Sequence, residues 1–158
     1  MPLIEPVETK ENLRIEELVI VVDTSYSTSG ELVKKFLRET FTILSETDSF
    51  FRKRKIHIIQ CDELVHSDIT VTGDTDIDIL INNFELAGGG NTDFRPAFEY
   101  VNNLIDTGEI KKLQGLLYFT DGKGKYPKKK MPYNTAFVFI DKLSETAVPA
   151  WAMKVSLE

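Results

Sequence analysis

Asp23-Thr24-Ser25-Tyr26-Ser27 sets one carboxylate and two hydroxyls at alternate positions directly after the apolar run Leu18-Val19-Ile20-Val21-Val22. Three oxygen donors can converge from such a loop. Two other segments carry oxygen donors beside permissive or strand-terminal backbone. Gly88-Gly89-Gly90-Asn91-Thr92-Asp93 has glycines that allow close backbone approach, and in Tyr118-Phe119-Thr120-Asp121-Gly122 an aspartate ends a second apolar run. The chemistry available to this set is the binding of a hard divalent cation. Mg²⁺ takes oxygen ligands, needs few carboxylates and keeps several waters. Asp23, Ser25, Ser27, Thr92 and Asp121 meet that demand for Mg²⁺, and Mn²⁺ or Ca²⁺ could take the same donors. Two aspartates balance a dication, which leaves it Lewis acidity and one position for an outside anion. The plainer account of the first motif is a hydroxyl-rich helix N-cap. Thr92 and Asp121 weigh against it, since a cap has no use for them.

For these donors to meet, the chain must build an open α/β sheet in which the carboxyl ends of several strands share one edge, the natural binding crevice. Strand-length apolar runs alternate with helical periods as that fold requires. Residues 18–22 are continuously apolar and read as a central parallel strand. Thr28-Ser29-Gly30-Glu31 has capping-box form, and Val33, Phe36, Leu37, Phe41 and Leu44 predict a helix from about Gly30 to Ser45. Lys55 to Cys61 reads as a second strand. Ile69 to Thr72 reads as a third, antiparallel to it across a short link from Asp62 to Asp68. Ile77, Leu80, Ile81 and Phe84 mark a short helix with Asp74, Asp76 and Asp78 at its start, broken by Gly88-Gly89-Gly90. Pro96 suits the first turn of the next helix, with Ala97, Val101, Leu104 and Ile105 as its buried stripe and Gly108 as its stop. Further strands are expected at Gly115 to Thr120, Thr135 to Ile140 and Trp151 to Ser156. The fold expected is α/β: a mostly parallel central sheet with one antiparallel edge strand and helices on both faces.

Together and in this order, Asp-x-Ser-x-Ser, the threonine of the glycine-rich loop and the strand ending in Thr-Asp-Gly resemble the metal-ion-dependent adhesion site of von Willebrand factor A (VWA) domains. The resemblance spans roughly Leu18 to Ser156. Gly89-Gly-Asn-Thr-Asp-Phe-Arg-Pro96 and Tyr118 to Gly122 are most similar to the VWA-like domain that follows a metallopeptidase-like domain in bacterial and archaeal proteins. It implies a Rossmann-like three-layer fold and a single VWA-like domain over residues 1–158, core about 16–156, as the carboxyl-terminal part of a longer chain. It implies that Ser25 and Ser27 bind the metal directly, that Asp23 and Asp121 act directly or through water, and that Thr92 joins or leaves with ligand state. Tyr26 stands where the family usually has glycine, and integrin β subunits likewise carry tyrosine there. Asp93 and Arg95 would support the site or cap a helix. The function implied is a non-catalytic, Mg²⁺-dependent protein-binding module whose metal shell is completed by a partner's Asp or Glu. A MoxR-type AAA+ ATPase system is the kind of assembly it would join.

Composition narrows the field further. The 158 residues carry a net charge of −6, which argues against a general nucleic-acid binder. No apolar run is long enough to span a bilayer and no signal-peptide pattern opens the chain, so a cytoplasmic protein is expected; Leu157-Glu158 has the look of a tag remnant. One cysteine, Cys61, allows neither an intramolecular disulfide nor a cysteine-rich metal knuckle. An enzymatic alternative is a haloacid-dehalogenase-like phosphatase with Asp23 as nucleophile. Against it, Ser25 occupies the place of the second aspartate that such enzymes use as acid and base. A metal-free VWA scaffold is a third reading.

Other motifs carry less. Glu63-x-x-His66 is a single copy in a link where that spacing does not align side chains. Asp74, Asp76, Asp78 and Glu85 imitate an EF-hand loop, but Ile79 sits where that loop needs glycine. No His-Glu-x-x-His occurs in the chain, and His57 reads as a packed or surface strand residue. Lys123, Lys125, Lys128, Lys129 and Lys130 form a basic surface loop just past Asp121. It reads either as a solvated loop or as a positive surround of the metal face that steers an acidic partner.

Overall fold

In the computed structural model, residues 15–24, 30–46, 53–72, 75–120, 125–139 and 148–156 are described. They form β1 (Ile15–Asp23), α1 (Gly30–Glu46), β2 (Lys53–Cys61), β3 (Val65–Val71), α2 (Ile77–Asn82), α3 (Arg95–Asp106), β4 (Leu113–Thr120), β5 (Asn134–Phe139) and β6 (Met153–Ser156). The strands make one six-stranded sheet in the order β3-β2-β1-β4-β5-β6. β1 pairs in parallel with β2 and β4, β4 with β5, and β5 with β6, while β3 runs antiparallel to β2 at the edge. This is the Rossmann-like arrangement expected, with helices on both faces.

The two faces follow from the alternation of side chains along each strand. Val19 and Val21 of β1 point into a core with Ile59 and Cys61 of β2, Ala97, Phe98 and Val101 of α3, and Tyr118 and Phe137. Ile20 and Val22 point the other way, to Ile56 and Ile58, to Val33, Phe36 and Leu37 of α1, and to Ile81 of α2. A central strand buried on both sides has no polar face, which is why residues 18–22 lack one. The second core is tightened by Phe36 stacked on Phe119 at 4.4 Å. Among the described residues no helix is long and apolar enough to cross a membrane.

Several boundaries differ from the sequence pattern. β3 begins at Val65 rather than Ile69, so the link is Asp62 to Leu64; Cys61 pairs with Val65 through a register shift that lets the strand start early. Its polar residues find partners that the pattern does not show. Asp68 Oδ1 lies 2.8 Å from Nδ1 of the buried His57, and the Tyr100 hydroxyl of α3 donates to Asp68 Oδ2 at 2.7 Å. Burial raises the Asp68 carboxyl, yet the bonds from His57 and Tyr100, with the charges of His57 and Lys55, hold it below the usual aspartate range. α2 ends at Asn82, so Phe84 reaches the core from beyond the helix. In α3, Phe98 is buried more deeply than Leu104 or Ile105, which pack against the core from its margin. Gly108 follows the Thr107 cap at φ +85°, a left-handed stop after the helix. Trp151 precedes β6, which starts at Met153. The Thr28 capping box, Asp74 and Ile140 lie outside the described residues.

Candidate metal centre

The parallel registers bring the carboxyl ends of β1, β2 and β4 to one edge, with Asp23 opposite Cys61 and Val22 opposite Phe119. Asp23 is fully buried there. A buried carboxylate needs hydrogen-bond donors, and the Thr120 hydroxyl donates to its Oδ2 at 2.6 Å. The residue before Asp121 is therefore tied to the first aspartate of the Asp-x-Ser-x-Ser motif. Ser25, Tyr26, Ser27, Asp121 and Lys123 lie outside the described residues.

The glycine-rich loop is drawn to the same edge by backbone bonds. Thr24 N–H donates to Cys61 O at 3.1 Å, and Gly89 N–H donates to Thr24 O at 2.7 Å. Asp62, the first residue past β2, does most of the holding. Its Oδ1 accepts from Leu64 N–H at 2.9 Å and from His66 Nε2 at 2.8 Å, its Oδ2 accepts from Gly90 N–H at 3.0 Å, and its carbonyl accepts from Asp93 N–H at 3.2 Å. Half-buried Thr92 sits between two points fastened to one residue. Burial raises the Asp62 carboxyl, but the Leu64 and Gly90 N–H groups and His66 outweigh it and hold the group below the ordinary aspartate range. The glycines are needed by geometry. Gly88 has φ +124° and a Cβ there would lie 2.7 Å from Thr24 Oγ1 and 2.9 Å from Asp62 Oδ2.

Asp93 serves the start of α3. Its Oδ1 accepts from Arg95 N–H at 3.0 Å and Nε at 2.9 Å, and its Oδ2 accepts from Arg95 Nη2 at 2.7 Å. Arg95 is the main cause that keeps the Asp93 carboxyl below its usual range. The pair accordingly orders the helix start. Exposed Lys125 meets the same place through its backbone, where Phe94 N–H donates to Lys125 O at 3.0 Å.

Asp23 and Thr92 are the two candidate ligands among the described residues, one carboxylate and one hydroxyl. Close by, the buried Thr24 hydroxyl has no hydrogen-bond partner among the described residues. This chemistry fits Mg²⁺, which accepts neutral oxygens beside few carboxylates. Among the described residues no three His, Cys, Asp or Glu side chains group as a metal shell. His66 turns to Asp62, and Asp76 caps α2 by accepting from Ile79 N–H at 3.1 Å. Cys61 is buried, and burial first of all pushes its thiol up to about 12, so it offers no thiolate nucleophile at neutral pH. The sequence pattern did not single out Asp62, Thr24 or Thr120. The available signal was their position, each next to or at the carboxyl end of a strand that neighbours or is β1.

The family described as VWA-like domain (DUF2201) matches residues 18–158 of this chain. No curated protein matches the sequence. Among solved structures, the SpRpn10 VWA domain is similar at TM-score 0.62 and 13% identity, over 91% of this chain and 88% of that one. An aerotolerance-related membrane protein from Bacteroides fragilis NCTC 9343 is similar at TM-score 0.53 and 13% identity, over 78% and 67%. Proximal thread matrix protein 1 of the mussel byssus is similar at TM-score 0.55 and 11% identity, over 92% and 42%. At these identities the likeness is one of fold.

Proposed function

The chain belongs to the family of VWA-like domains, and on that premise we propose that it is a Mg²⁺-dependent protein-interaction module. Asp23, Ser25, Ser27, Thr92 and Asp121 would hold the cation, and an Asp or Glu of a protein partner would complete its shell. When bound, the ion supplies a fixed positive charge and a Lewis-acidic position for that carboxylate. The chain's own residues arrange the edge. Thr120 orients Asp23, Asp62 fastens both sides of Thr92, and the Asp93–Arg95 pair sets the start of α3 beside them. The observation that carries this reading is the closure of the glycine-rich loop onto the end of β1 by the 2.7 Å bond from Gly89 to Thr24.

We assign the domain no catalytic residue. A MoxR-type AAA+ ATPase is the partner class to test first, and the resemblance to peptidase-associated domains supports a module that would work beside a metallopeptidase-like domain. Affinity capture with the immobilised parent chain should retain a defined partner in Mg²⁺ and release it in EDTA, and Asp23→Ala should retain none under either condition. Equal retention with chelator would contradict a metal-gated contact and favour a metal-free scaffold. Release of phosphate from an aryl phosphate, lost in Asp23→Asn, would replace the proposal with a phosphatase.

A further inference from the structure

We infer that residues 125–133, between β4 and β5, are a docking track for an acidic peptide segment, running along the flank of α3 from its start. This deepens the proposed function and takes the metal-bound carboxylate as its starting point. Between Asp121 and Asp141 the chain has five lysines and no acidic residue, on a protein whose net charge is −6. Lys125, Lys128, Lys129 and Lys130 are all exposed. Among the described residues no ion pair joins them to a carboxylate.

The backbone under these lysines is pinned. Phe94 N–H holds Lys125 O, and Trp151 Nε1 donates to Pro127 O at 3.3 Å. The Tyr126 ring lies 4.5 Å from Phe94 and 4.9 Å from Phe137, and the Tyr133 hydroxyl donates to Asn102 Oδ1 at 3.1 Å. The aromatic side chains face the core while the lysines face solvent. A solubilising loop needs no such anchoring, whereas a binding surface gains from it, because little loop entropy is lost when a ligand docks.

The anchors also give the track a direction and a length. Lys125 is fastened at the start of α3, and Met131 reaches Asn102, seven residues along that helix. At 1.5 Å per residue this is roughly 10 Å of helix axis. An extended segment covers that distance in about three residues. The fitting partner therefore carries the metal-binding Asp or Glu followed within about three or four residues by further acidic side chains. In the chain, Lys128, Lys129 and Lys130 fall between the two anchors at Lys125 and Met131. The net negative charge of the rest of the chain disfavours nucleic acid, whose long polyanion would meet repulsion beyond the track.

The test uses fluorescence anisotropy of a labelled hexaglutamate peptide at low ionic strength, in Mg²⁺ and in EDTA, with the parent chain and with K128E/K129E/K130E. The triple reversal should weaken binding roughly tenfold or more, added salt should do the same, and K128Q/K129Q/K130Q should fall between, all with unchanged thermal unfolding. Equal binding by the parent and the triple reversal would overturn the track. So would an oligothymidylate that binds the parent as tightly as the peptide. Binding that is equal in Mg²⁺ and EDTA but still lost on charge reversal would support the track while rejecting the metal reading.

Discussion

Asp62→Ala should cost about 3 kcal/mol of stability and remove the response of the protein to Mg²⁺ at the same time. The carboxylate of Asp62 accepts from Leu64 N–H, Gly90 N–H and His66 Nε2 while almost entirely buried. Alanine leaves two part-buried backbone donors without their acceptor, and each bond to a charged acceptor is worth about 1.5–3 kcal/mol. It also frees the loop that carries Thr92. Asp62→Asn keeps one oxygen and the shape, so its cost should be smaller. The sign of the pH dependence follows from the lowered carboxyl. A depressed carboxyl stabilises the fold above the unfolded aspartate value near 4 and stops doing so as the pH falls through the lower folded value. The gap in urea stability between the parent and Asp62→Asn should therefore be full at neutral pH and shrink in acid below about pH 4. A constant gap from pH 7 to pH 3, or a cost of Asp62→Ala under about 0.5 kcal/mol, would mean that Asp62 does not hold the loop.

Gly88→Ala should destabilise by about 2–4 kcal/mol, combining a strained backbone with a collision against the site's own oxygens. Gly88 sits at φ +124°, and its added Cβ would meet Thr24 Oγ1 at 2.7 Å and Asp62 Oδ2 at 2.9 Å. Neither oxygen is at the end of a long flexible side chain, so relief must come from the loop moving off the sheet. Gly89 supplies the internal comparison. Its φ is also positive, at +99°, but a Cβ there meets nothing within 4 Å, so Gly89→Ala should cost only about 1 kcal/mol. Urea unfolding of the two variants separates strain alone from strain with collision. Equal costs would show that the close approach of Gly88 to Thr24 and Asp62 is not what the glycine is for.

The sequence made the frame legible where burial leaves a one-dimensional trace. Residues 18–22 are apolar on both faces because β1 is covered on both faces, and the stripe Ala97, Val101, Leu104 shows α3 because that helix is covered on one. The antiparallel edge strand was legible in its direction and not in its start. His66, Ser67 and Asp68 are three polar residues in a row that look like loop, and only the fold reveals His57 and Tyr100 as the partners of Asp68. The site divides in the same way. Asp23 and Thr92 are visible because their residue types suit a metal, whereas Asp62 is an aspartate in what reads as a polar link. Its role depends on β2 lying beside β1 and on the glycine-rich loop returning over both, contacts more than 25 residues apart that no local pattern records. Thr120 was hidden next to Asp121 within one motif, since the aspartate draws the chemical reading and the hydroxyl acts through Asp23.

The most direct test of the central claim is thermal unfolding of the parent chain, Asp23→Ala and Ser25→Ala across a Mg²⁺ titration, with Mn²⁺ in parallel. A cation that binds the folded edge and not the unfolded chain adds stability as RT ln(1 + [Mg²⁺]/Kd), so the parent midpoint should climb through saturation by several degrees. Both variants should stay flat. A parent midpoint that does not respond to either cation, or an equal rise in Asp23→Ala, would contradict a metal site built on Asp23.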